Sequence, residues 1–149
     1  MTDIKVFEGV SAATFSNVPA ADNNAYMCNM FTKIGEAGVD MDMISVEACA
    51  DDTISVGFTF DDNDLSKLLP VINGSKGHLS PMISCGKVKF VIKSVEMINK
   101  PGFAAKILAA LRSIKCTPLL ITTGLDEISL LVNDSDSAEV AKQLEILFH

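Results

Sequence analysis

Val88-Lys89-Phe90-Val91-Ile92-Lys93-Ser94-Val95, followed three residues later by Asn99-Lys100-Pro101-Gly102-Phe103, reads as a strand that feeds a helix. The strand run is rich in β-branched and aromatic residues. Pro101 is expected in the first helical turn, where its missing amide proton costs nothing, and the helix continues through Ala105, Ile107, Leu108 and Leu111. Leu119 to Thr123 and Glu127 to Val132 then read as strands turned at Gly124. Ser135 or Ser137 is expected to cap a last helix carrying Val140, Leu144, Ile146 and Leu147. The order is strand, helix, strand, strand, helix.

The first half runs in the same order. Ala13 to Val18 reads as a strand. From Asn24 to Gly38, Ala25, Cys28, Met30, Phe31, Ile34 and Ala37 recur at helical spacing. Asp22 or Asn23 is expected to cap that helix, and Gly38 to end it in a left-handed conformation. Val39 to Ala48 and Thr53 to Phe60 follow as strands; in the second, Ile54, Val56, Phe58 and Phe60 alternate with small or polar residues, the mark of one buried face. Asp64 opens a short helix through Leu65, Leu68 and Leu69. Phe31 then matches Leu108, Ile44 matches Ile121, and Ile54-Ser55 matches Ile128-Ser129, which is an internal repeat. The polar, glycine-containing stretch from Ile72 to Pro81 connects the halves. The expected fold class is α+β: two tandem ferredoxin-like βαββαβ modules over residues 1–80 and 81–149, with sheets pairing within and between chains.

Composition narrows the function. With 12 Lys plus Arg against 19 Asp plus Glu, the net charge is −7, and the sequence pI is about 4.7. That balance excludes unassisted nucleic-acid binding, which depends on cations that neutralise phosphates. No apolar run is long enough to cross a bilayer, and Met1-Thr2-Asp3-Ile4-Lys5 has neither the basic nor the apolar segment of a secretory leader. A cytoplasmic protein with no membrane contact is expected. Cys28, Cys49, Cys85 and Cys116 are scattered, with no ligand-like spacing, so neither zinc nor a disulfide is expected and all four read as small buried hydrophobes.

Groups for catalysis are few. His78 falls in the connector and His149 is the last residue, so a nucleophile-histidine arrangement has little to build on. The acidic run Asp61-Asp62-Asn63-Asp64 precedes Leu65, where negative charge favours a helix start. Gly74-Ser75-Lys76-Gly77 lacks the spacing of a phosphate loop. No enzyme, metal or cofactor is expected. What remains is the strand-to-helix turn of each module: backbone amides beside Gly102 suit a carboxylate, and Asp22 suits an ammonium group.

Lys100-Pro101-Gly102-Phe103-Ala104-Ala105-Lys106-Ile107, Glu36 to Ser45, Ile121-Thr122-Thr123 with Glu127 to Val132, and Asp134-Ser135-Asp136 together resemble the tandem ACT regulatory region of aspartate kinases. The likeness extends over nearly the whole chain. It implies a non-catalytic regulator that binds an effector amino acid of the threonine or lysine class at the interface between modules. It also implies a homodimer and, as the regulated partner, a kinase or other biosynthetic enzyme. The contact positions implied are Asp22, Asn24, Ala25, Tyr26, Asp40, Val46 and Glu47 in the first module, with Asn99, Pro101, Gly102, Phe103 and Thr117 in the second. The strand Ile4 to Gly9 is a candidate for exchange into the second module. Three departures from the resembling pattern bear on the pocket. Ala25 stands where a glycine is usual, Val46 where a glutamine is usual, and Thr117-Pro118 replaces an asparagine and an amide donor. The alternative they favour is an ACT-like interaction module that has lost its effector.

Overall fold

The structure, a computed structural model, describes residues 1–75 and 81–149. His78 and the centre of the connector lie outside the described residues. The elements in chain order are β1 (Thr2–Pro19), α1 (Ala21–Glu36), β2 (Asp42–Ala48), β3 (Thr53–Asp61), α2 (Leu65–Gly74), β4 (Met82–Ser94), α3 (Phe103–Ser113), β5 (Leu120–Thr123), β6 (Glu127–Asn133) and α4 (Asp134–Phe148). Single 3-10 turns precede α2 at Asp62–Asp64 and α3 at Val95–Met97. The chain divides into two compact units, Gly9–Cys85 and a second made of Met1–Glu8 with Gly86–His149.

In the Gly9–Cys85 unit the strand order is β2-β3-β1. Both pairings are antiparallel, with Phe15 opposite Val56 and Val46 opposite Val56 from the other side. The alternating residues Ile54, Val56, Phe58 and Phe60 all point into the core, where they meet Phe15, Val18, Met30, Ile34 and Leu68. Burying these side chains is the main stabilising term, at roughly 1.5–3 kcal/mol each. Gly38 ends α1 with φ +85°, the left-handed stop its position demands. Asp61 starts the 3-10 turn by accepting from the Asn63 amide at 2.8 Å.

In the other unit the order is β1-β4-β6-β5. Val88, Phe90 and Ile92 alternate on β4 and pack with Phe103, Ile107 and Leu111 of α3, Ile128, Leu130 and Val132 of β6, and Val140 and Leu144 of α4. Residues 2–8 of β1 belong to this unit. Ile4 packs against its core, the buried Thr2 hydroxyl donates to Ser94 Oγ at 3.2 Å, and Lys89 Nζ lies 5.5 Å from the Phe7 ring centroid.

Local details depart from the sequence reading. Neither Asp22 nor Asn23 caps α1. Asp22, Asn23 and Asn24 all take left-handed φ of 56–63°, no side chain caps the start, and regular helix begins at Ala25. Asp and Asn tolerate this region better than other residues with a Cβ, and the turn is built from one Asp and two Asn in succession. Pro101 lies before α3 and not in its first turn, because Gly102 occupies the N-cap with φ +96°. Asn133 is the N-cap of α4, which places Ser135 and Ser137 inside the helix, and Ser137 Oγ donates back to Asp134 O at 2.7 Å. Only Cys116 is buried; Cys28, Cys49 and Cys85 are exposed, and all four are free thiols. Burial raises the Cys116 thiol above its ordinary pKa, and the Asp136 carboxylate beside it, 3.8 Å from Sγ, adds to the shift.

Candidate functional site: the turns that open the first helix of each unit

The turn before α3 gathers several of the residues singled out from sequence. Ser94 accepts from the Glu96 amide at 3.2 Å and begins the 3-10 turn, and Asn99 then reverses the chain with φ +65°. Gly102 follows at φ +96°. Asn99, Pro101 and Phe103 line a cavity of about 280 Å³ together with Glu96, Lys100 and Lys106. Phe103 is its buried floor; the remaining side chains are exposed. Glu96 can accept from an ammonium group, while Lys100, Lys106 and the unpaired amides of the α3 start favour a carboxylate. Glu96 and Lys106 were not singled out from sequence. Their signal was spacing alone, since Lys106 falls one helical turn after Gly102, with its amide donating to Gly102 O at 3.1 Å.

Gly102 carries a testable load. A Cβ added there meets no atom within 4 Å, so the only obstacle to a side chain is backbone conformation. Gly102→Ala is expected to cost about 1–2 kcal/mol by thermal or urea unfolding, the penalty of left-handed φ for an L-residue. A cost near zero would mean that the turn relaxes to another shape.

Thr117 is not part of this cavity. It lies past the far end of α3, where it lines a separate open depression of about 590 Å³ with Leu108, Arg112, Lys115, Cys116 and Pro118. The 11-residue helix separates the two places by roughly 16 Å.

In the Gly9–Cys85 unit the residues are spread out. Asp22, Asn24 and Ala25 are exposed at the left-handed turn, which is held from behind by the Ala20 amide donating to Asp52 O at 2.9 Å. Asp40 is exposed between α1 and β2. Val46 and Glu47 are exposed on β2, at the edge of this unit's strand order. Tyr26 lines a different cavity, of about 250 Å³, between α1 and α2. That cavity was not legible in the sequence; its one signal is that Tyr26, Met30, Lys33 and Ile34 recur at helical spacing. Among the described residues no group of three or more acidic, Cys or His side chains could hold a metal ion, and no helix is long and apolar enough to cross a membrane.

No protein-family model matches the chain. Among curated proteins it is 27% identical over 108 residues to an aspartokinase of Geobacillus stearothermophilus; the match takes in 68% of this chain and 26% of that protein. Among solved structures, it superposes on the regulatory subunit of aspartate kinase from Thermus thermophilus with a TM-score of 0.83 at 15% identity, covering 98% of this chain and 97% of that one. It also superposes on E. coli aspartokinase III in complex with lysine and aspartate, with a TM-score of 0.70 at 14% identity, covering 98% of this chain and 33% of the enzyme. The chain therefore has the tandem ACT fold of aspartate kinase regulatory regions. The subunit it matches from end to end is regulatory and not catalytic.

Proposed function

We propose that this protein is a non-catalytic regulator that binds a small amino acid of the threonine or lysine class at the turn before α3. The observation that carries the reading is the cavity at that turn, which sets one carboxylate, Glu96, and two cations, Lys100 and Lys106, around the open start of a helix. A zwitterion needs both signs of charge at close quarters, and Glu96 with Lys100 and Lys106 provides them. The solved E. coli enzyme with the same fold is in complex with lysine and aspartate, and that supports an amino acid as the ligand. The two modules of this reading are the units Gly9–Cys85 and Met1–Glu8 with Gly86–His149, so that the first residues of β1 go with the second module. Regulation of a kinase or other biosynthetic enzyme in the cytoplasm follows if the ligand binds one arrangement of the protein better than another, because equal affinity shifts nothing.

The test is a thermal-shift panel of the protein amino acids against the whole chain. One amino acid at roughly 100 times its Kd should add about 2.7 kcal/mol, and Glu96→Gln should abolish that shift without lowering the melting temperature of the free protein. A flat panel would sink the reading and leave an interaction module that has lost its effector. The protein is also expected to be a homodimer, since β2 presents Ile44 and Val46, 47% and 49% exposed, along an unpaired edge. Light scattering should give twice the chain mass; a single-chain mass would refute it.

A further inference from the structure

We propose that the cavity between α1 and α2 is a second binding site, for a small carboxylic acid with an apolar body. It lies wholly within the Gly9–Cys85 unit and owes nothing to the amino-acid site at the α3 turn.

The walls set the chemistry. Phe15 from β1, Met30 and Ile34 from α1, and Val71 and Ile72 from α2 form the apolar wall of a partly open space of about 250 Å³. A dry cavity of about 150 Å³ is enough to take up benzene, and drug-sized pockets begin near 300 Å³. The occupant is therefore a molecule of about ten non-hydrogen atoms, most of them carbon. Among the described residues Lys33 is the one charged residue that lines the cavity, and its ammonium forms no ion pair with any of them. Long side chains on a helix lean toward its N-terminus, so the Lys33 ammonium is within reach of the turn of Asn29, itself a lining residue. An anionic head group fits there. An α-amino acid fits less well, because among the described residues no carboxylate lines the cavity to pair with its ammonium group.

Tyr26 supplies a second sign. Its ring forms part of the wall, and its Oη is sealed from solvent with no hydrogen-bond partner among the described residues. Buried hydroxyls are nearly always paired, and one that is not marks a place where a partner is missing. A carboxylate entering beside α1 brings two acceptor oxygens, enough for Lys33 Nζ and for a Tyr26 hydroxyl that turns toward it.

Octanoate, with ten non-hydrogen atoms, is the probe, and 1-octanol its uncharged counterpart. Calorimetry on the whole chain should show saturable binding of one octanoate, with a rise in melting temperature. Val71→Phe, which fills the space from the α2 side, should weaken octanoate at least about tenfold while leaving the melting temperature equal or higher. Lys33→Gln, on an exposed side chain, should weaken octanoate about fivefold and leave 1-octanol unchanged. The proposal is overturned if octanoate shows no saturable binding, if Val71→Phe binds it undiminished, or if Lys33→Gln weakens acid and alcohol alike. A flat amino-acid panel would leave each of these results standing, so the two sites fail separately.

Discussion

Phe58→Ala should remove about 3–5 kcal/mol of stability, the cost of deleting a large aromatic from a packed core. Phe58 is 1% exposed and is the hub of an aromatic group: its ring stacks on Phe15 at 5.9 Å, meets Phe31 edge-on at 6.4 Å and tilts against Phe60 at 5.9 Å. Each such contact adds about 0.5–1.5 kcal/mol beyond area burial. Removing the ring leaves three others facing a hole, and β3, paired on both sides, is too constrained to collapse into it. Marginal proteins carry only about 5–15 kcal/mol in total, so the variant should unfold at far lower urea with an unchanged slope. Leu125→Ala, at a residue 77% exposed, serves as the control and should stay within about 0.5 kcal/mol. A Phe58→Ala loss no larger than the control's would show that the aromatic group does not hold this unit together.

Leu131→Ala is the sharper case. On β6, Ile128, Leu130 and Val132 face the helices α3 and α4, so strand alternation turns Ser129 and Leu131 to the opposite side. If that side were open to water, truncating Leu131 would change stability by about 0.5 kcal/mol or less. Leu131 is fully buried, at 0% exposure, and Ser129 nearly so. The expected loss is therefore about 2–5 kcal/mol, as for any well-packed leucine. Equilibrium unfolding in urea reads the difference directly, and a loss under about 1 kcal/mol would mean that the second face of β6 is open in solution.

Much of the fold was legible because its signals are local. Ile54, Val56, Phe58 and Phe60, and again Val88, Phe90 and Ile92, repeat with the two-residue period of a strand, and all of them are core. Ile107 with Leu111, and Val140 with Leu144, repeat with the helical period and are buried too. Gly38 holds positive φ past the end of α1, as its position led one to expect. The misreadings were also local, and each has a cause. Ser135 and Ser137 are good capping residues, but Asn133 comes first and takes the N-cap. Asp22 and Asn23 are good caps as well, yet they are spent on a left-handed turn. The cysteines looked like core because cysteine so often is; three of the four stand on exposed positions of a helix, a turn and a strand end.

The candidate site divides in the same way. That Asn99-Lys100-Pro101-Gly102-Phe103 leads into a helix was legible, since Pro-Gly and a following amphipathic run are contiguous in the chain; that Gly102 is left-handed and leaves Pro101 outside the helix was not. That Glu96 and Lys106 close the same cavity was not, because their side-chain directions depend on how the 3-10 turn and α3 meet. Thr117 resembled a contact in sequence, and the length of α3 sets it at a different depression.

The sequence by itself determined the two-fold repeat, the α+β class and the core faces of the strands and helices, because backbone geometry imposes periods of two and 3.6 residues on neighbouring side chains. Tertiary structure alone decided that Leu131 is buried on its second face, that Thr2 finds Ser94 across 92 residues, and that Tyr26 and Lys33 line an apolar cavity. Burial and polar pairing are sums over segments far apart in the chain, and no local period carries them.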